Sequence, residues 1–501
     1  MVLKKRILNL TQLASDLSNI AEKFSSRRIQ ANTFLRLGKP TTENLRPYRW
    51  HYGKGDFYKY LLTLTLFLPI TMLYFFREVG RLLYFNERKV RQIKLKGAPC
   101  KSVFVSHYTN ANKYTLEDFY FGPLPSRLNS SGDVTSIFLL NHTRLSTSRV
   151  LNEFSANQIL NYSINLKTVP LVKLLKITAS QLATGVRMMA STLDRDLKSS
   201  QRFLLAHAAV QQLSRQTYAV AILSENLEQV LSILLPSRVF ITLEGHSFEG
   251  VLIRMIHEKF PSTRVLLYQF APIVTQQFGL IENLGELSNS DLVLTTGQET
   301  KQYFLKMSDI PEDQVKVIGS PKAKTPLEIA KKHPTEANRA ILCLFAPEAS
   351  LHALIEMIEI ASVCSQSLPS RNFILRLHPA LNVNASNGIV HGHTLPNNLV
   401  LSTRTLEEDL MDSVFCVYRS TAVSIEGLFY GTRPIHFSSR EDDGLDPLAI
   451  SALEHPSFSN LLDLVSFVDS NSMKKSFDLR PTESEMTDAY YRYFEPIKDI
   501  D

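Results

Sequence analysis

From Lys101 onward the chain repeats one pattern: a short run of β-branched and aromatic residues, a turn signal, then a helical stretch. Lys101–His107 (KSVFVSH) and Val134–Asn141 open the series, helical patterns fill about Thr168 to Leu235, and strands resume at Arg238–Leu243, Arg264–Phe270, Asp291–Thr295 and Gln314–Ile318. Runs buried on both faces alternating with helices are the signature of parallel α/β units. After a Pro- and Lys-rich linker, Gly319–Glu336, the alternation begins afresh. Strands are predicted at Ala340–Phe345, Asn372–Leu377, Asn398–Leu401, Val414–Tyr418 and Pro434–Phe437, and helices at Ser350–Ser365, Thr405–Met411 and Thr421–Tyr430. The expected architecture is two successive Rossmann-like α/β domains whose ligand site is the cleft they face, at the carboxyl ends of the strands.

Composition fits such a body. Of 501 residues, 44% are hydrophobic and 21% charged, which argues against disorder, a collagen-like chain or a multi-span membrane protein. The net charge of +7 is unevenly placed. Met1–Cys100 holds 19 Lys and Arg against 6 Asp and Glu, a net of +13, so the rest of the chain is slightly acidic. Four cysteines, Cys100, Cys343, Cys364 and Cys416, show no metal-ligand or redox spacing and read as reduced packing residues of a cytoplasmic protein.

The basic first 100 residues carry the most apolar window, Tyr60–Phe76, with Lys59 and Arg77 at its flanks. Three readings stand: a buried helix kinked at Pro69, a helix lying in a bilayer interface, or a short span. Each leaves the basic segment facing something negative, and an anionic membrane surface is the simplest partner. No nucleic acid is expected, because no helix-turn-helix, finger or stacking motif accompanies the charge.

Three constellations fall at predicted strand ends. The first is Arg376-Leu377-His378-Pro379, where the proline biases His378 towards an extended conformation from which its ring can donate to a phosphate oxygen. Arg376 adds charge there if it too faces outward. In the second, Ser420 or Thr421 caps the helix that follows, an anion site if a ligand is present and an ordinary cap otherwise; Glu426 sits further along to accept from ribose hydroxyls. The third is Leu243-Glu244-Gly245-His246-Ser247-Phe248-Glu249. Glu244, His246 and Glu249 are the candidates for taking a proton from an acceptor hydroxyl, with Glu249 equally readable as a first-turn glutamate favoured by the helix dipole.

Together the RLHP strand end, the stretch RSTAVSIEGLFYGTRPIHF, the sequence VIGSPK and the segment Val103–Pro125 resemble bacterial GT-B glycosyltransferases of surface-polysaccharide biosynthesis. The nearest type is the His-Pro-motif transferases: sialyltransferases, Kdo transferases and CDP-glycerol glycerophosphotransferases. The resemblance covers about Lys101 to Arg440. It implies a GT-B fold: an N-terminal acceptor domain (101–325) with a helical insertion at about 165–235, and a C-terminal nucleotide-sugar domain (326–475). A helix or tail (476–501) follows, and a mainly helical basic region (1–100) precedes them. By position, it implies that His378 contacts the nucleotide phosphate and Pro379 shapes its loop. Ser420 and Thr421 would then bind phosphate, and Glu426 lie near the ribose or base. The acidic-acidic-Gly motif of the sialyltransferases matches Leu243-Glu244-Gly245, with leucine at its first position. No DxD motif stands where a metal-dependent GT-A enzyme needs one, so no metal site and no cofactor beyond the nucleotide-sugar substrate are expected.

The expected function is transfer of a sugar from a nucleotide-activated donor, with a CMP-sugar favoured, to a glycan or lipid-linked acceptor on the inner face of the cell membrane. A polyol-phosphate transferase using a CDP-alcohol, a UDP-sugar epimerase and a membrane-recruited scaffold with a degenerate body are the competing classes.

Overall fold

The computed structural model describes residues 100–108, 117–142, 161–165, 169–194, 199–274, 290–321, 339–346, 351–378, 392–438, 445–451, 453–472 and 483–498, isolated positions between these stretches, and scattered helical positions from Leu13 to Gly80. Most of the 319–336 linker and most of the first 99 residues lie outside them. The chain divides into two units. The first comprises Met1–Phe270, Gln277–Leu294 and Met307–Lys316, the second Ala271–Gln276, Thr295–Lys306 and Val317–Asp501.

The first sheet holds β1 (Ser102–Tyr108), β2 (Thr135–Asn141), β3 (Asn161–Ile164), β4 (Arg238–Thr242), β5 (Arg264–Gln269), β6 (Leu292–Thr295) and β7 (Val315–Val317), in the order β3-β2-β1-β4-β5-β6-β7. β1 pairs in parallel with both β2 and β4. All seven of its residues are buried, as a strand covered on both faces requires. Val103, Phe104 and Val105 each contribute about 1.5–3 kcal/mol by leaving water. A short helix, α1 (Leu124–Ser130), precedes β2. The expected helical insertion is three helices, α2 (Leu171–Ser191), α3 (Ser199–Gln211) and α4 (Arg215–Leu234), entered between β3 and β4. Ser214 caps α4 by accepting from the Thr217 N–H, which is why the chain turns there. α2 and α3 approach closely at Gly185, where an added Cβ would stand 3.0 Å from the carbonyl of Ala209. The Phe67 ring, on one of the described helical positions of the basic region, closes over the same spot. β4 leads into α5 (Ser247–Lys259), and α6 (Gln298–Met307) follows β6.

The second sheet repeats the plan with β8 (Ile341–Phe345), β9 (Phe373–Leu375), β10 (Leu399–Leu401), β11 (Ser413–Tyr418), β12 (Arg433–Phe437) and β13 (Ser457–Phe458), ordered β10-β9-β8-β11-β12-β13 with every pair parallel. Period-two alternation sorts each strand between two cores. Phe415 and Val417 face α7 (Leu351–Ser367) and α10 (Leu461–Ser472). Cys416 and Tyr418 face α9 (Val423–Phe429) and α11 (Glu483–Tyr493). The C-terminal helix α11 thus builds one wall of the second core through Met486, Tyr490 and Tyr493. A further helix, α8 (Leu406–Asp412), precedes β11 with a Thr405–Glu408 capping box.

The sequence expects the helix after β11 to start at Thr421. It starts at Val423, with Ser420 and Thr421 left in the preceding turn. All four cysteines are free and buried, and burial pushes the thiols of Cys100 up to about 11 and Cys364 up to about 12. No helix among the described residues is long and apolar enough to cross a membrane.

Candidate functional site

Each sheet reverses its strand order once, at β1/β4 in the first and β8/β11 in the second. In open parallel sheets the crevice outside the carboxyl ends of the strands at that reversal is where ligands bind. Both reversals carry polar side chains.

In the first unit β4 ends at Thr242 and the chain turns through Gly245, whose φ of +83° only glycine adopts without strain, into α5. Glu249 holds this turn. Its carboxylate, 1% exposed, accepts from the backbone N–H groups of Glu244 (2.7 Å), Gly245 (3.0 Å) and His246 (3.1 Å). Gln277 fixes the same loop by donating to the Glu244 carbonyl at 2.6 Å. The Glu244 side chain points away from this frame and meets the His246 Nε2 at 3.3 Å, both the ring and the carboxylate reachable by solvent. The three sequence candidates therefore divide: Glu244 and His246 form an accessible acid–imidazole pair, and Glu249 shapes the loop that presents them.

The structure adds two residues that the sequence reading passes over. His107, at the end of β1, places Nδ1 2.7 Å from His142 Nε2 and Nε2 2.8 Å from Thr242 Oγ1. Burial lowers His107 to about 3, with the positive charge of His142 adding to it. His142 is lowered as well, by desolvation first and then by His246. His107 is thus a neutral, buried ring that orients the more exposed His142, whose unprotonated form burial favours. Phe248 packs edge-on to His107 and stacks on His246, joining the two pairs into one cluster. A histidine at each of two adjacent predicted strand ends, KSVFVSH and the Asn141-His142 dipeptide, was the available signal.

In the second unit His378 follows β9, half-buried, its carbonyl accepting from the Leu381 N–H at 3.0 Å. Pro379 lies outside the described residues. The facing of Arg376, open in the sequence, is inward. Its Nη1 donates to Asp409 Oδ2 at 2.7 Å, to the Arg404 carbonyl at 2.7 Å and to Ser402 Oγ at 3.2 Å, and Asp409 is fully buried. Arg376 therefore braces the end of β9 against α8, one residue removed from Leu377 and two from His378. After β11 comes Arg419, 3% exposed and ion-paired with Glu356 of α7. Ser420 and Thr421 follow half-buried; the Thr421 carbonyl accepts from Ser424 Oγ at 3.0 Å. Glu426, in the first turn of α9, is partly exposed.

Beside this reversal lies a buried polar group with no counterpart in the sequence reading. Asp446 accepts from the Tyr418 hydroxyl at 2.8 Å and the Leu448 N–H at 2.9 Å through one oxygen, and meets His455 Nε2 at 2.7 Å through the other. The second His455 nitrogen faces the Leu453 carbonyl at 3.1 Å, so both ring nitrogens meet acceptors and the ring is an imidazolium. Burial opposes that charge, but the hydrogen bond and charge of Asp446 outweigh it and raise His455. His455-Pro456 is another of the chain's His-Pro dipeptides, its histidine held by a carboxylate. Among the described residues no three His, Cys, Asp or Glu side chains converge as a metal ion would need.

No protein-family profile matches the chain, and no curated protein does. Among solved structures it is similar to the UDP-GlcNAc 2-epimerase from Neisseria meningitidis bound to UDP-GlcNAc, at 12% identity and a TM-score of 0.44 over 78% of this chain and 97% of that one. It is also similar to the glycosyltransferase SnogD from Streptomyces nogalater (13%, 0.42, 79% and 95%) and to MurG from Acinetobacter baumannii (9%, 0.41, 79% and 96%).

Proposed function

We propose that the chain is a glycosyltransferase that moves a sugar from a nucleotide-activated donor to a glycan or lipid-linked acceptor. The observation that supports this reading is that polar residues stand at or next to both order reversals: Ser420 and Thr421 after β11, with His378 one strand away after β9, on one sheet, and Glu244 with His246 and His142 on the other. The second unit takes the donor. His378 and the Ser420 and Thr421 hydroxyls donate to the nucleotide phosphate, and Glu426 accepts from the ribose. The first unit supplies the base. Glu244, or neutral His142, removes the proton from the acceptor hydroxyl as its oxygen attacks the anomeric carbon. The bond from that carbon to the phosphate oxygen breaks, the electron pair goes to the phosphate, and donors around His378 stabilise the charge that develops there.

A CMP-sugar is the first donor to try, on the strength of the His-Pro resemblance. For the basic first 100 residues the corresponding proposal is attachment to an anionic membrane surface, the inner face of the cell membrane, through the +13 net charge.

The test is mass spectrometry of products after incubating the full chain with separate CMP-, UDP- and CDP-linked donors and a lipid-extract acceptor. Sugar addition to an acceptor, lost in Glu244→Gln and His378→Ala by about a hundredfold or more, is the expected result. Interconversion of a UDP-sugar without an acceptor product would mean an epimerase, and transfer of a polyol phosphate would mean the CDP-alcohol class. Undiminished turnover in both variants would overturn the site assignment.

A further inference from the structure

Helix α2 is apolar on both sides. Leu174, Ile177 and Met188 enter the core, as an amphipathic helix requires. The opposite face carries Val172, Leu175, Ala179, Ala183, Val186 and Ala190, each exposed, at spacings of three and four that keep them in one line for about 27 Å along the helix. Val172 is 66% exposed, Leu175 47% and Val186 48%. An exposed apolar line of this length marks a surface that meets something apolar. Exposed apolar side chains also occur on the helical positions that carry Phe67. Phe67 packs against Gly185, and the described positions of the same helical stretch turn Leu66, Met72 and Leu73 outward, 41%, 54% and 67% exposed.

The charges around the row decide what covers it. Exposed Lys176 and Arg187 flank it, and α2 contains no acidic residue in its 21 positions. Lys173 of the same helix is paired with Glu225 of α4 at 3.4 Å, leaving Lys176 and Arg187 as the cations beside the row, and the nearest acids in sequence, Asp194 and Asp196, lie past the helix end. A second copy of this chain docked about a two-fold axis would bring like charges together, whereas a bilayer with anionic headgroups accepts both the side chains of the row and the cations beside it.

We propose that the outer face of α2 is a docking surface for an anionic lipid bilayer, with the Val172–Ala190 row lying in the headgroup–acyl boundary. This rests on and deepens the membrane part of the proposed function and is independent of the catalytic part. It places lipid contact on the body of the first unit, in addition to the basic first 100 residues.

The experiment is flotation of the full chain with phosphatidylcholine vesicles and with phosphatidylcholine–phosphatidylglycerol vesicles, with light scattering in parallel. Val172→Asp/Leu175→Asp/Val186→Asp should reduce binding to the anionic vesicles by about tenfold or more. Lys176→Glu/Arg187→Glu should reduce it by about fivefold per residue and only at low salt. Val400→Asp/Leu462→Asp, which place the same kind of charge on exposed positions of the second unit, should bind as wild type. Failure of the wild type to bind anionic vesicles overturns the membrane reading as a whole. Binding by the wild type with an unchanged triple variant overturns the α2 surface alone. A wild-type dimer that the triple variant dissociates, with vesicle binding retained, assigns the row to self-association and also overturns it.

Discussion

Glu249 illustrates how far a residue's type falls short of its role. Read in sequence it is a candidate base beside a histidine; in the fold both its oxygens are occupied by three backbone N–H groups of the turn that presents Glu244 and His246. The Gly245 turn has a positive φ and leaves these N–H groups outside any ladder, so a buried carboxylate is what satisfies them. Glu249→Gln, which keeps one acceptor oxygen and removes the charge, should lower stability by about 1–2 kcal/mol, read as the urea midpoint. Glu244→Gln on the exposed side of the same loop should shift it by no more than about 0.5 kcal/mol. Equal shifts would deny the division of roles. Glu244 and His246 were legible because a Gly-containing turn at a strand end exposes its polar side chains. His107 was not: it closes a wholly buried strand, and a histidine in an apolar run reads as core until its partners His142 and Thr242, 35 and 135 residues away, are seen.

At the scale of elements, the strands and most helices follow from hydrophobic period, because strands buried on both faces are uninterrupted apolar runs and their ends coincide with turn residues. β8, predicted from Ala340 to Phe345, runs Ile341–Phe345, and β11, predicted from Val414, begins one residue earlier. The helix after β11 begins two residues late because neither Ser420 nor Thr421 is its N-cap; that position is Ala422. The segment from Asp446 to Phe458 has too little periodicity to be read, and polar pairing holds it instead. Asp446 is lowered, burial being outweighed by its partners His455, His436 and Tyr418, and His455 is raised. The carboxylate contributes stability that is complete above 3.8 and lost as pH falls through its lower folded value. The imidazolium contributes stability that is complete below 6.5 and lost as pH rises through its higher folded value. The stability gap between wild type and Asp446→Asn should therefore be widest between 3.8 and 6.5, at about 3 kcal/mol, and narrow on either side. Among the neighbours, burial raises Tyr418, which therefore stays protonated through this window, and burial lowers His436, whose protonation on the acid side of the window costs stability in both proteins. Urea titrations of both proteins across the pH range check it; a gap that grows steadily into alkaline pH would exclude the ion pair.

Over the whole molecule, one α/β plan occurs twice: each sheet places its earliest strand centrally, adds two outward, then reverses and adds the rest on the other side. That two units exist was legible from the renewed alternation after residue 340. Which polar residues gather at the reversals was not, since strand order is a property of pairing and not of local period. If the second reversal holds the nucleotide, a saturating nucleotide stabilises the native state by about 2.7 kcal/mol at a hundredfold excess over Kd, worth about 5 °C or more in Tm for a unit of this size. Thermal melts with CMP, CDP and UDP should show that rise for at least one of them and lose it in His378→Ala, while Glu244→Gln keeps it. No rise with any nucleotide would favour the scaffold class.

The buried thiols give these unfolding experiments a chemical reporter. With Cys100 in the first unit and Cys343, Cys364 and Cys416 in the second, all shielded from solvent, the native protein should be silent to aromatic disulfide reagents. Titrating thiols during denaturation would then count one sulfur for the first unit and three for the second. The order in which they appear tells which half of the chain opens first, with no label added and no residue changed.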